Sequence, residues 1–469
     1  MTVPLSRPAS RGPTGPPDGQ SPVAATLSLR RTAVAGADVA GLSARLFSPL
    51  CGILTDVTTL ARSRYGPQAF VYSGELTGVH LWSHLPDPPA GSFHLGGFGL
   101  HRHEALVKLL GESVERYSGH AAAAAGLLPV RMASHAELAA EGARTLTEAD
   151  FELFRDDQFS RPGFPFSPFS PGATLGWAEL TALTDGHRAL VPAQAVLLGY
   201  VLGEDEPWLQ TAVTTGTAVH PEPGRALRSA LEELTQVDAA IGHWHGRRPS
   251  LRLLPDRRTA ELDRVIARHT WRHAPAPEFH LLPSPDLPGF TIACLIRAAG
   301  EAIPRVAVGL GSGTVLVRAM YRAFLEAVGV AWLAGWVQVR DGSPGAEAGV
   351  ANPYDLESNV GYYAGPAGAV VVDKRFADCT QIAASDAPPD GPREDRAAVA
   401  RLCEAIAASG QRIYHADLTT PDVRRLGLSA QRVWSPDLLA LPLPGAAPMA
   451  HRRWAAYGGV CRDDPHPYP

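Results

Sequence analysis

The sequence predicts a mixed α/β or α+β fold. Three observations carry that prediction. Short apolar segments of strand length alternate with longer segments of helical period. No run approaches 18 apolar residues, so a membrane span is not expected. The hydrophobic content of 45% is ordinary for a globular chain, and 469 residues are ample for a large core.

Residues 1–25 read as a disordered tail. The stretch SRPASRGPTGPPDGQSP is too rich in Pro, Gly and Ser to bury a core, and it lacks the apolar region of a secretory signal. Residues 26–469 read as one domain. Within it, 35–47 reads as a helix and 50–58 as a strand. Three longer helices follow: 103–117 (HEALVKLLGESVERY), 224–240 (GRALRSALEELTQVDAA) and 314–328 (TVLVRAMYRAFLEAV). Each carries apolar residues at helical spacing. Each follows a Gly- or Thr-rich segment that reads as a turn: GGFG at 96–99, TTGT at 214–217 and GLGSG at 309–313. Free amides at a helix N-terminus favour phosphate, so three such units suggest one composite site. Segments 161–172 and 387–393 are Pro-rich and read as surface loops. At the end, PHPYP sets Pro465, Pro467 and Pro469 in PxPxP register, which holds an extended backbone.

Composition narrows the function. The 42 basic and 47 acidic side chains give a net charge of −5 without long runs, which argues against a nucleic-acid partner. The cysteines (Cys51, Cys294, Cys379, Cys403, Cys461) are odd in number and never spaced CxxC. Reduced thiols in a cytoplasmic protein are the expectation. The HxH pairs His101/His103 and His243/His245 lack a third zinc ligand. GLGSG resembles a dinucleotide fingerprint, but Thr314 stands where the final glycine is required. No GxSxG elbow and no GxxxxGK[ST] loop occur, so any ATP use needs another kind of site.

The helices carry the candidate chemistry. Glu112 and Glu115 are three apart and project from one face, with Arg116 beside them. Paired carboxylates suit a hard cation such as Mg²⁺, which also takes phosphate ligands. The plainer reading is a solvated acidic face. In the second helix Glu233 and Gln236 repeat the spacing, flanked by Glu232 and Asp238; surface charge is again the plainer reading. In the third, Arg322 and Glu326 are four apart, as in a simple salt bridge.

Together these segments resemble the YcaO family over most of the chain, from about Leu50 to Pro469. KLLGESVERYSG is similar to the family's SAxxEAxER helix. TTGTAVHPEPGRALRSALEELTQVDA resembles sTGxAaH followed by an ALxxxLxExxERDA-like helix. GLGSGTVLVRAMYRAFLEA resembles GxGxxxxxxxALxRAxxEA. ADLTTPDVRRLGLSAQRVWSPDL resembles a fourth family stretch, vDLTtpDvxxlGlxVvRVxxPgl. The four occur in the family's order.

The resemblance implies a YcaO-type fold with helices lining an ATP site. It implies ATP and Mg²⁺ as cofactors. Glu112, Glu115 and Glu233 would bind the metal. Arg116, Thr215, Gln236, Arg322 and Glu326 would bind the nucleotide. It further implies azoline formation: a Cys, Ser or Thr side chain of a ribosomally made precursor peptide attacks the preceding carbonyl. The amide oxygen is then phosphorylated and leaves as phosphate. PxPxP marks that branch, with the carboxylate of Pro469 as a base and Arg322 as a second catalytic group. A separate ThiF-like leader-binding protein, a flavin dehydrogenase in the pathway and a homodimer are expected. The sequence departs from the family at Lys108, Gln236, Val237 and Phe98. A thioamide- or amidine-forming enzyme of the same family is one alternative. The departures at Gln236, Val237 and Phe98 motivate another, a non-catalytic scaffold that binds the peptide or its partner.

Overall fold

The computed structural model describes residues 39–60, 66–82, 94–270, 274–298, 302–341 and 354–468. The expected N-terminal tail and Pro469 lie outside the described residues. The architecture is a mixed α+β one built on three sheets. A three-stranded antiparallel sheet joins β1 (Leu54–Leu60), β2 (Phe70–Leu76) and β3 (His94–Gly99). A six-stranded sheet runs β4 (Val130–Ser134), β5 (Thr174–Ala182), β13 (Tyr414–Asp417), β14 (Ser429–Trp434) and β7 (Thr217–His220), with β6 (Arg188–Pro192) also pairing β5. A five-stranded sheet runs β11 (Val306–Gly313), β10 (Phe290–Arg297), β9 (Glu278–Leu281), β8 (Ser250–Leu254) and β12 (Cys379–Ala383). Only its β8–β12 pair is parallel, which a long crossover makes possible.

The expected first helix is α1 (Val39–Leu46), and the strand placed at 50–58 is β1, shifted toward its C-terminal end. Three long helices pack between the sheets: α2 (Arg102–Ala124), α3 (Pro223–His245) and α4 (Leu316–Asp341). All three run past their expected ends. The alanine run at 121–124 and the buried segment from Ala239 to His245 lack the polar–apolar contrast that marks a surface helix. α3 starts with Pro223, whose fixed φ suits a first turn. It lies between the two larger sheets, against β7 and β14 on one side and β10 and β11 on the other.

Two of the three expected phosphate-binding turns are strands. GGFG belongs to β3 and GLGSG to β11. Their glycines serve close packing. A Cβ on Gly97 would stand 2.1 Å from the Ala105 carbonyl oxygen of α2, and one on Gly309 would stand 2.0 Å from the Ala327 nitrogen of α4. Glycine at alternate positions (Gly309, Gly311, Gly313) leaves one strand face bare, so a helix backbone rests directly on it. Phe98, where the family has lysine, follows the same logic. Its ring lies over Gly329 of α4, where a Cβ would come within 2.4 Å of it. The 387–393 segment is likewise more than a surface loop. Gly391 donates to the Thr314 carbonyl and the Thr314 hydroxyl donates to the Pro392 carbonyl, which ties the loop to the start of α4.

Among the described residues no helix is long and apolar enough to cross a membrane. The five cysteines are free thiols.

Candidate active site

The three long helices and β14 aim charged side chains into one cleft. α2 supplies Glu112, Glu115 and Arg116. Glu112 accepts from the Gly96 amide and lies 3.6 Å from Arg116. α3 supplies Glu233, whose carboxylate accepts from the Gly216 amide at 3.1 Å. Gly216 has φ of +81°, and a Cβ there would stand 2.3 Å from the Val433 carbonyl oxygen, so only glycine fits this turn. α4 supplies Glu326, which accepts from the Leu310 amide at 2.9 Å. β14 supplies Arg432, whose guanidinium donates to the carbonyls of Val213 and Thr215 and to the Thr217 hydroxyl.

The four carboxylates form a ring of electrostatic neighbours. Glu115 feels Glu233 and Glu112; Glu233 feels Glu326; Glu326 feels Glu112. Surrounding protein atoms strip water from them and disfavour the charged form. That crowding raises Glu112, holds Glu115 well above the carboxylate range, and pushes Glu233 to about 8 and Glu326 to about 7. Burial also lowers Lys108, which is paired to Glu104 at 3.3 Å, and brings Arg432 down to about 10. The buried Nε atoms of Arg116 and Arg432 have no hydrogen-bond partner among the described residues. A cleft with crowded carboxylates and unspent guanidinium donors is built to receive a cation and an anion together.

Among the described residues no three His, Cys, Asp or Glu side chains form a ready metal cage. The crowded carboxylates of the cleft nonetheless suit a hard cation such as Mg²⁺, which takes oxygen ligands from side chains, phosphate and water. The residues present therefore fit a magnesium–phosphate complex better than a structural metal.

The structure brings most of the sequence-predicted residues together. Glu112, Glu115, Arg116, Glu233 and Glu326 share the cleft. Thr215 is buried at its edge, on the turn before β7. Gln236 is half-buried one turn beyond Glu233 on α3. Arg322 has a different setting. It donates to Glu232 at 2.9 Å and to the Ser312 carbonyl at 2.7 Å, on the next face of α3. Glu232 is buried and also held by Arg228 at 2.7 Å. Asp238 is buried further along α3, where Arg453 and Tyr457 bind it. The tail follows the far end of α3: Trp244 donates to the Asp464 carbonyl, and the fully buried Tyr468 packs against Trp244. Trp244 lies eleven residues beyond Glu233, roughly 16 Å along the axis. Pro469 itself lies outside the described residues.

Sequence reasoning did not single out Arg432. Its signal was the RVW stretch of the fourth motif, where a fully buried strand of six residues carries an arginine.

Comparison with known proteins follows the same lines. The family model described as YcaO cyclodehydratase, ATP- and Mg²⁺-binding, matches residues 96–439. No curated protein matches the chain. Among solved structures, a heterocyclase in complex with substrate and cofactor superposes with a TM-score of 0.66 at 17% identity, covering 88% of this chain and 54% of that one. The chain thus spans about half the length of that heterocyclase. The YcaO protein of Methanopyrus kandleri, bound with AMPPCP and Mg²⁺, gives 0.54 at 18% identity over 88% of this chain and 91% of that one. The E. coli microcin synthetase McbBCD complex gives 0.58 at 12% identity, with 88% and 96% covered. These likenesses concern the fold.

Proposed function

The chain belongs to the YcaO family, and from that premise we propose that it is an ATP-dependent cyclodehydratase of a ribosomally made peptide. It converts Cys, Ser or Thr residues to thiazolines or oxazolines. The observation that carries this reading is the ring of four crowded carboxylates, drawn from three helices and bordered by two arginines with unspent donors.

The residue roles follow from charge. Glu112, Glu115 and Glu233 would hold Mg²⁺, which would supply positive charge against the phosphates and relieve the mutual repulsion of the carboxylates. Glu326, Arg116, Thr215 and Gln236 border the nucleotide. Arg116 suits phosphate oxygens through bidentate donation. Arg432 keeps the Glu115–Glu233 edge of the ring from being wholly negative. Arg322, which donates to Glu232 and to the Ser312 carbonyl, is assigned the positive charge at the transferred phosphoryl group. The carboxylate of Pro469 is assigned the base role.

Each ring balances as follows. The thiol or hydroxyl adds to the preceding carbonyl carbon and gives up its proton to the base. The former carbonyl oxygen attacks the γ-phosphorus, and ADP leaves. Loss of the amide proton then expels phosphate and leaves a C=N bond. Amides are poor electrophiles, and water opposes dehydration, so the driving force comes from ATP. The protein contributes mainly positioning and charge neutralisation.

The reading includes partners: a precursor peptide with leader and core, a separate ThiF-like leader-binding protein, a flavin dehydrogenase acting afterwards, and a homodimer. The test is incubation with precursor peptide, partner and Mg-ATP. A loss of one water mass per ring supports the reading. ATP turnover with an unchanged peptide mass contradicts it.

A further inference from the structure

A cavity of about 530 Å³ opens beside the carboxylate cleft. Its walls are the loop around Leu287, the 388–392 segment and α7 (Asp395–Ala408), taking α5 as Leu356–Ala364 and α6 as Pro366–Ala377. Its floor is α3. Successive helical residues point about 100° apart. Glu233 therefore faces the cleft, while Glu232 and Thr235 face the cavity. The Arg322–Glu232 pair forms the partition. Gly313 leaves a gap in it: a Cβ there would stand 3.7 Å from the Arg322 guanidinium and 3.8 Å from the Glu232 carboxylate.

This placement selects an occupant. The size is that of a ligand pocket. The lining is mainly apolar, with Leu282, Leu287, Phe290 and Leu402 among its residues. Its carboxylates are already matched, Glu232 by two arginines and Asp390 by Arg258. Among the described residues Arg401 is its one cationic lining residue, so it offers a triphosphate no cluster of positive charge. It suits a second substrate whose reacting oxygen must meet the phosphoryl group. We propose that this cavity seats the short stretch of acceptor peptide beside the residue being cyclised, and that it favours uncharged, apolar side chains there. The inference rests on the cyclodehydratase reading and names where its peptide enters.

The test compares wild-type protein with two variants, using precursor peptide, partner and Mg-ATP. Thr235→Phe fills the floor; among the described residues its hydroxyl bonds only the preceding helical carbonyl of Glu232, at 2.9 Å. Pro389→Trp narrows the exposed rim and leaves the core untouched. Both should raise the KM for peptide about tenfold while the KM for ATP stays within about twofold. An unchanged peptide KM in the folded variants overturns the inference and leaves the cyclodehydratase reading standing. An equal rise in both KM values overturns it too, because the cavity then belongs to the nucleotide. A wild-type protein that forms no ring removes the reading and this inference with it.

Discussion

Glu115 on α2 and Glu233 on α3, far apart in sequence, face each other across one cleft closely enough that each carboxylate opposes ionisation of its neighbour. Neither helix needs this pair for its own stability. A protein that keeps such repulsion keeps it for a ligand, since perturbed carboxylates cluster where chemistry is done.

Neutralising one member should therefore separate stability from activity. Glu233→Gln should cut ATP turnover by about 100-fold or more, the scale of losing a charge aimed at the reacting group. Its melting temperature in Mg²⁺-free buffer should equal or exceed the wild type at pH 8. Phosphate release and thermal melting check both. A variant that melts lower and keeps its turnover contradicts the assignment.

The carboxylate ring also sets a pH dependence. Glu233 (about 8) and Glu326 (about 7) lie above their unfolded value of 4.5. Their contribution to stability is full below about 4.5 and is lost as pH rises through 7 and 8. The Mg²⁺-free protein should thus lose thermal stability across that window. Mg²⁺ with nucleotide should restore more of it at pH 8 than at pH 6, and binding near pH 7 should release protons. Calorimetry in buffers of different ionisation enthalpy reads the release; a stabilisation independent of pH contradicts it.

Gly309 distinguishes a packing glycine from a phosphate-binding one. With a Cβ forced to within 2.0 Å of the Ala327 nitrogen, Gly309→Ala should destabilise the fold by about 3 kcal/mol or more. Denaturant unfolding measures this. A variant of normal stability with a raised KM for ATP would return GLGSG to the phosphate.

The tail offers a further test. Deleting residues 467–469 should abolish ring formation. It also removes Tyr468, which is 1% exposed, a burial worth about 2 kcal/mol. Tyr468→Leu keeps the chain length and should retain most ring formation at a lower melting temperature. If that substitution inactivates as fully as the deletion, the tail acts through packing and Pro469 loses its role as base.

Much of the site was legible because helical spacing and residue type are local. Glu112, Glu115, Glu233 and Glu326 lie on helices whose period the sequence displays, and four motifs in order supplied the convergence that no single helix could. What stayed hidden was tertiary. Gly97 and Gly309 looked like turns because glycine signals both a turn and a close approach, and only the partner helix decides between them. Arg432 drew no notice in a strand segment, and only the fold sets Glu233 near it. Glu232 and Glu233 are neighbours of identical type, yet one is locked by Arg228 and Arg322 while the other faces the cleft. The departures at Phe98 and Val237 also have packing answers, since Phe98 covers Gly329 and Val237 is 5% exposed in the core.

The central claim concerns an oxygen atom, and an isotope follows it directly. A precursor peptide carrying oxygen-18 at the backbone carbonyl before the cyclised residue, incubated with the protein, partner and Mg-ATP, should yield labelled inorganic phosphate. The peptide should become lighter by one labelled water for each ring. Label that remains in the peptide, or that leaves in water with none in phosphate, would contradict phosphorylation of the amide oxygen.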